Sequence, residues 1–130
     1  MRVTICKFCD FACMLEGGKG SVIGMFDTIG SREFPMTHHT FHICLEIEFD
    51  PTEAGVVDLD VALVDDDGKR LFGVKQELPV AQPPVGRNVR ILQDFAVENL
   101  TFERPGTYRL DVVCNGRTVG EERLYVLQQY

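Results

Sequence analysis

The residues with the most chemical potential lie in the first third of the chain. Cys6 and Cys9 are separated by two residues, Cys13 follows, and His38, His39 and His42 come later. Thiols and imidazoles at short spacing are the donors of a zinc site, so this group defines a metal- or thiol-dependent reading. The local pattern argues against it. A Cys-x-x-Cys pair converges on a turn, whereas strand alternation sends Cys6 and Cys9 to opposite faces. No second close cysteine pair exists, and an unligated cysteine packs as a small hydrophobe. A redox role for Cys6 and Cys9 lacks its βαβ context. On plain alternation His38 and His42 share a strand face, with no clear third ligand. The expectation is reduced, metal-free thiols and no cofactor. Cys9 and Cys13 should react poorly with thiol reagents, and Cys44 should be the first to react if its face meets water.

Other chemical motifs fail on spacing. Asp58, Asp60 and Asp65-Asp66-Asp67 lack the ligand spacing and distal glutamate of an EF-hand. Gly17-Gly18-Lys19-Gly20-Ser21 has no glycine four residues before its Gly-Lys element and no hydroxyl directly after Lys19. It also joins two strands, where a phosphate loop opens a helix. No serine elbow is present. Cys44 and His42 are the only thiol and imidazole close in sequence, with no third group to orient them. The chain therefore reads as a non-enzyme.

A binding reading rests on the loop Gly30–His39. Phe34, Pro35 and Met36 stand there among polar neighbours, followed by His38. Pro35 restricts the preceding residues to extended conformations, which lowers the entropy lost on binding. An aromatic anchor is the usual centre of a protein contact. Phe34, Pro35, Met36 and His38 are thus the candidate contacts for a protein partner. In the competing reading Phe34 folds back and plugs the end of the core.

The elements that must position these residues are strands. Glu103 to Val119 is the clearest stretch. Pro105-Gly106 breaks what precedes, Tyr108, Leu110, Val112 and Cys114 alternate with other residues, and Asn115-Gly116 marks a tight hairpin. This turn sets Val112 opposite Val119, but the inward residues further on are Leu124 and Val126. A β-bulge at Gly120-Glu121-Glu122 is needed to switch the alternation. Gly106-Thr107-Tyr108 has the form of a tyrosine corner.

Val3–Leu15 reads as the first strand, with Cys9, Phe11, Cys13 and Leu15 on one face. Ser21–Ile29 returns through a turn at Gly17-Gly18, which pairs Cys13 with Val22 and Cys9 with Phe26. Phe41, Ile43, Leu45, Ile47 and Phe49 alternate with His42, Cys44, Glu46 and Glu48, so one face meets a core and the other water. Val57, Leu59, Val61 and Leu63 form the next inward row. An Asp67-Gly68 turn sets Leu63 opposite Phe72, Val61 opposite Val74, Asp65 opposite Arg70 and Asp66 opposite Lys69. Pro79, Pro83 and Pro84 make Leu78–Asn88 a crossover. Val89–Val97 is the strand before the C-terminal hairpin. About eight strands with short turns predict an all-β, immunoglobulin-like two-sheet antiparallel sandwich, with residues 1–130 as one domain.

Composition agrees. A net charge of −7 argues against a nucleic-acid surface, which needs clustered Lys and Arg. The apolar share of 45% suits a globular core. No stretch has the length of a membrane helix, and Lys7 and Asp10 interrupt any signal-peptide core. Five cysteines cannot all pair. We expect a cytoplasmic protein that meets a protein partner, with homo-oligomerisation through an edge strand or the N-terminal hairpin as a further route.

Three stretches together resemble a family of small uncharacterised bacterial β-sandwich proteins. They are Cys9–Ala12 through Gly18-Lys19 to Ile23–Asp27, Phe34–His38 leading to Pro51–Gly55, and Glu98–Phe102 through Pro105–Tyr108 to Asn115-Gly116. The resemblance implies a sandwich and no assigned reaction.

Overall fold

A computed structural model describes all of residues 1–130. It contains nine strands: β1 (Arg2–Leu15), β2 (Lys19–Phe26), β3 (Thr28–Ser31), β4 (Met36–Phe49), β5 (Gly55–Val64), β6 (Arg70–Val80), β7 (Val89–Phe102), β8 (Gly106–Cys114) and β9 (Arg117–Gln128). The sole helical element is a 3-10 turn at Pro51–Glu53, capped by Asp50, whose carboxylate accepts from Thr52 N. No helix is long and apolar enough to cross a membrane.

One sheet has the order β2-β1-β4-β7 and the other β3-β9-β8-β5-β6. Their facing sides hold a common core. Phe41, Ile43, Leu45, Ile47 and Phe49 of β4 are completely buried and meet Val57, Leu59, Val61 and Leu63 of β5 in the same cluster. Both rows are the ones that period-two alternation predicts.

The C-terminal hairpin forms as its turn demands. Asn115 and Gly116 both have positive φ, 50° and 77°, and Cys114 pairs with Arg117. Asn115 also exchanges two 2.9 Å bonds with Asp58 on β5, one from its backbone N and one to its Oδ1. The expected bulge is present but sits earlier, between Thr118 and Gly120. Val112 therefore faces Gly120, not Val119. The tyrosine corner is made: Tyr108 Oη donates to Arg104 O at 2.6 Å, and the ring packs edge-on against Phe102.

Several expectations are corrected. The two sheets are not wholly antiparallel. The chain leaves the first sheet at Asp27, and Thr28–Ser31 runs parallel to β9 in the second, so Ile29 does not belong to the second strand of the first hairpin. That hairpin turns through three residues, Glu16–Gly18, and pairs Cys13 with Ser21 and Cys9 with Met25. Leu63↔Phe72 and Val61↔Val74 hold, but a shift after Leu63 pairs Val64 with Arg70. The charge pairs expected across that turn are not made. Arg70 reaches Asp60 at 3.2 Å, and Asp66 and Asp67 both bind Arg104. Asp65 instead accepts from the backbone of Asp67 and Lys69, closing its own turn. β6 runs on through Pro79 to Val80; it is an edge strand, where a missing N–H is tolerated. β7 extends to Phe102.

Two local devices reshape the first sheet. Gly24 on β2 has φ 70° and lies across from Asp10, between the pairs Cys9↔Met25 and Phe11↔Ile23. Asn99 on β7 has φ 52° and lies across from His39, between His38↔Leu100 and Thr40↔Glu98. In both places the ladder keeps its register but neither residue joins it. A left-handed residue turns the strand, so the side-chain parity switches. On β7, Phe95 and Val97 face the core before Asn99, and Leu100 and Phe102 after it. On β1, Ala12 and not Phe11 continues the face of Cys9: Cys9, Ala12 and Cys44 form a second small cluster with Val22 and Leu92. The far half of the first hairpin thus folds over the outside of its own sheet. Cys44, placed towards water by simple alternation, is 1% exposed beneath it.

Candidate functional site

β1 pairs with β4 only as far as Cys9↔His42. Beyond that point β1 and β2 turn away at Asp10 and Gly24. The first part of β4, Met36–Phe41, keeps β7 on one side and has no strand on the other. A groove of about 440 Å³ opens there. Met25 and Phe26 of β2 with Asp10 of β1 line one wall, Met36 and His38 the other, and Ile29 of β3 lies at its base. Met25 is 65% exposed, while Ile29 belongs to the main core. The His38 ring sits edge-on to Phe41 at 5.5 Å and near Phe26 at 6.4 Å. Asp10 is exposed and makes no ion pair or hydrogen bond through its side chain. Met25, Phe26, Ile29 and Met36 give the groove its apolar surface, and Asp10, Thr28 and His38 give it a carboxylate, a hydroxyl and an imidazole. Two methionines let it adapt to differently shaped apolar groups.

The four sequence-derived contacts are divided by the fold. Met36 and His38 line the groove. Phe34 is half-buried and packs against the main core, as a plug would, and Pro35, joined to it by a cis peptide bond, is exposed. Met36 also packs against the core. Asp10, Met25, Phe26 and Ile29 escaped sequence reasoning. Their placement follows from the turn at Gly24, which the sequence shows only as a glycine within a strand, whereas the broken spacing of Phe95, Val97, Leu100 and Phe102 marks only the face switch that places Met36 and His38.

The metal- or thiol-dependent set is not brought together. Cys6 lies in the main core and Cys9 in the cluster on the other side of the sheet. His38 faces Phe26 and Phe41, His42 faces Phe11 on the outer side, and His39 is exposed. His38 and His42 do not share a face, because parity switches at His39. The three potential ligands that do converge are Asp65, Asp66 and Asp67, two of them sharing an ion pair with Arg104 at 2.6 and 2.8 Å.

The outer face does place a carboxylate on an imidazole: His42 Nδ1 and Asp94 Oδ1 are 2.8 Å apart. This supplies the third group absent from the sequence reading, but the neighbouring thiols are tuned the wrong way for attack. Burial pushes the Cys9 thiol up to about 11, with Cys44 and Asp94 adding to it. Burial also raises Cys44, again helped by Asp94. Cys6 is pushed up to about 12 by burial and then by Glu122. A nucleophilic or metal-binding sulfur needs the reverse, a lowered pKa and an electropositive setting.

Fold and groove together define a small all-β domain of two packed sheets with a cleft at one end of the first. The chain belongs to DUF6941, a family of unknown function, which matches residues 4–127. No curated protein matches it. Among solved structures, the Pseudomonas fluorescens alkylpurine DNA glycosylase AlkC bound to DNA containing an abasic site analog is similar over 98% of this chain, with 14% identity and a TM-score of 0.48. This chain spans 30% of the length of that one.

Proposed function

We propose that the domain is a non-catalytic protein-interaction module built on an immunoglobulin-like sandwich. The bonded tyrosine corner supports the immunoglobulin-like assignment. One observation carries the functional reading: Met36 and His38 converge with Met25, Phe26 and Asp10 on an open groove, while the side chains with catalytic potential are scattered or have raised pKa values. Five free thiols fit a reducing, cytoplasmic setting. The test is affinity purification from the source organism with wild-type and Met25→Glu baits, read by mass spectrometry. Met25 is exposed enough for a charge to leave folding intact. The reading expects a protein retained by the wild type and lost from the variant. Identical protein sets on both baits sink it.

A second reading, self-association, rests on the edges. β6 carries Lys75, Glu77 and Pro79, and β7 carries Arg90, Asp94 and Glu98, all features that discourage edge pairing. β2 has no charge between Lys19 and Asp27, and it exposes Ile23 and Met25. Sedimentation of wild type and Ile23→Lys tests this. A single monomeric species in both rules it out.

A further inference from the structure

We propose that the groove takes an extended peptide segment, which adds as a strand beside Met36–Phe41 and presents an apolar residue to Met25, Phe26 and Met36 and a Lys or Arg to Asp10. This rests on the reading of the groove as a partner site.

The backbone carries the argument. In an antiparallel pair, alternate residues send their N–H and C=O groups to opposite sides. Half of these groups in Met36–Phe41 therefore point away from β7. No ladder, turn bond or side chain takes them up. The same strand further on, from His42 to Glu48, is paired on both sides. The free stretch is six residues long, about the length of an ordinary strand. Unlike an outer edge, it lies inside the sheet, where β1 would have continued had it not turned at Asp10. Main-chain bonds to such an edge supply affinity, and pockets for alternate side chains supply selectivity.

The walls restrict what fits. Met25, Phe26 and Met36 favour an apolar anchor. Asp10 is the groove's carboxylate and has no cation of its own. A chain with net charge −7 gives the same preference at longer range. In an extended ligand, residues two apart share a face. The recognised pattern is therefore an apolar residue with a basic residue two positions away.

The test uses a phage-displayed library of random peptides about 12 residues long. It is selected on the wild-type domain and counter-selected on Met25→Glu. Enriched sequences are synthesised and measured by fluorescence anisotropy, unmodified and with each backbone amide N-methylated in turn. Strand addition predicts a period of two: methylation weakens binding about tenfold or more at alternate positions and little between them. It also predicts that Asp10→Asn removes the preference for the basic residue. Peptides that depend on Met25 but show no alternating methylation pattern overturn strand addition and leave the groove reading standing. Failure to enrich any Met25-dependent peptide overturns both.

Discussion

The two halves of β4 share one strand and one neighbour, β7, yet differ in every other respect. From Phe41 to Phe49 the strand is paired on both sides over most of its length, and each inward side chain is fully buried. From Met36 to Thr40 it is paired on one side, its apolar side chain is half-buried, and a histidine takes a position that a core residue would fill. The face switch falls at His39, opposite the left-handed Asn99, and pairing on both sides begins at His42. One half supplies cohesion and the other presents an open edge. Placing both in one continuous strand makes the edge rigid without covering it.

The comparison is broken most easily by truncating each half. Phe41 lies between Phe8 and Phe26, at 6.1 and 6.2 Å. Phe41→Ala should cost about 3–5 kcal/mol in urea unfolding. Met36→Ala, already partly solvated, should cost about 1 kcal/mol. Equal losses would mean that the halves do not differ as described. Outside β4, Tyr108→Phe removes the bond to Arg104 O and should cost about 1–2 kcal/mol. It serves as a reference for one buried polar contact remote from the groove.

A sharper test concerns the boundary. Asn99→Ala forces a Cβ-bearing residue with no compensating polar group to hold φ 52° and should cost about 1 kcal/mol. Asn99→Gly should cost nothing or stabilise slightly. If the alanine variant is as stable as the glycine variant, the face switch does not depend on that backbone conformation.

The smallest effect at neutral pH comes from the thiols. Cys6 and Cys9 keep their protons in the folded state up to about 12 and about 11, against an ordinary value of 9.0. Above pH 9 the unfolded chain loses these protons while the folded chain retains them. The thiol contribution to stability is therefore constant below that pH and falls as pH rises through the window from 9 to about 11. Chemical denaturation across pH 8 to 10.5 measures it, and Cys6→Ser/Cys9→Ser should flatten the slope. In native protein Cys13, the one cysteine not buried, should react first with a thiol reagent, in place of Cys44.

Much of the architecture was legible in the sequence. The rows Phe41–Phe49 and Val57–Leu63 keep a strict period of two, and Asn115-Gly116 and Tyr108 have local chemistry strong enough to fix their own geometry. The errors concentrate where one residue overrides the period. Asn99 reads as an ordinary polar residue until its φ is known, and Gly24 reads as a weak spot in a strand. Each moves every later side chain to the other face. Simple alternation therefore puts His38 and His42 on one surface, and it leaves Cys44 in water because it does not foresee the hairpin that folds over its face. The parallel pairing of β3 was illegible for another reason: four residues carry too little pattern to show which strand they join. Half of the groove became visible only with the turn of β1, since Asp10 and Met25 acquire their position from Gly24.

The parallel contact between Thr28 and Tyr125 joins positions 97 apart. During synthesis from the amino end, β3 emerges long before its partner exists. The first hairpin must then wait beside the ribosome while nearly the whole domain is made. A chain stalled before Tyr125 would leave β3 unseated and the base of the groove, Ile29, uncovered. Completion of the cleft is thus tied to translation of β9, the strand made latest of the nine.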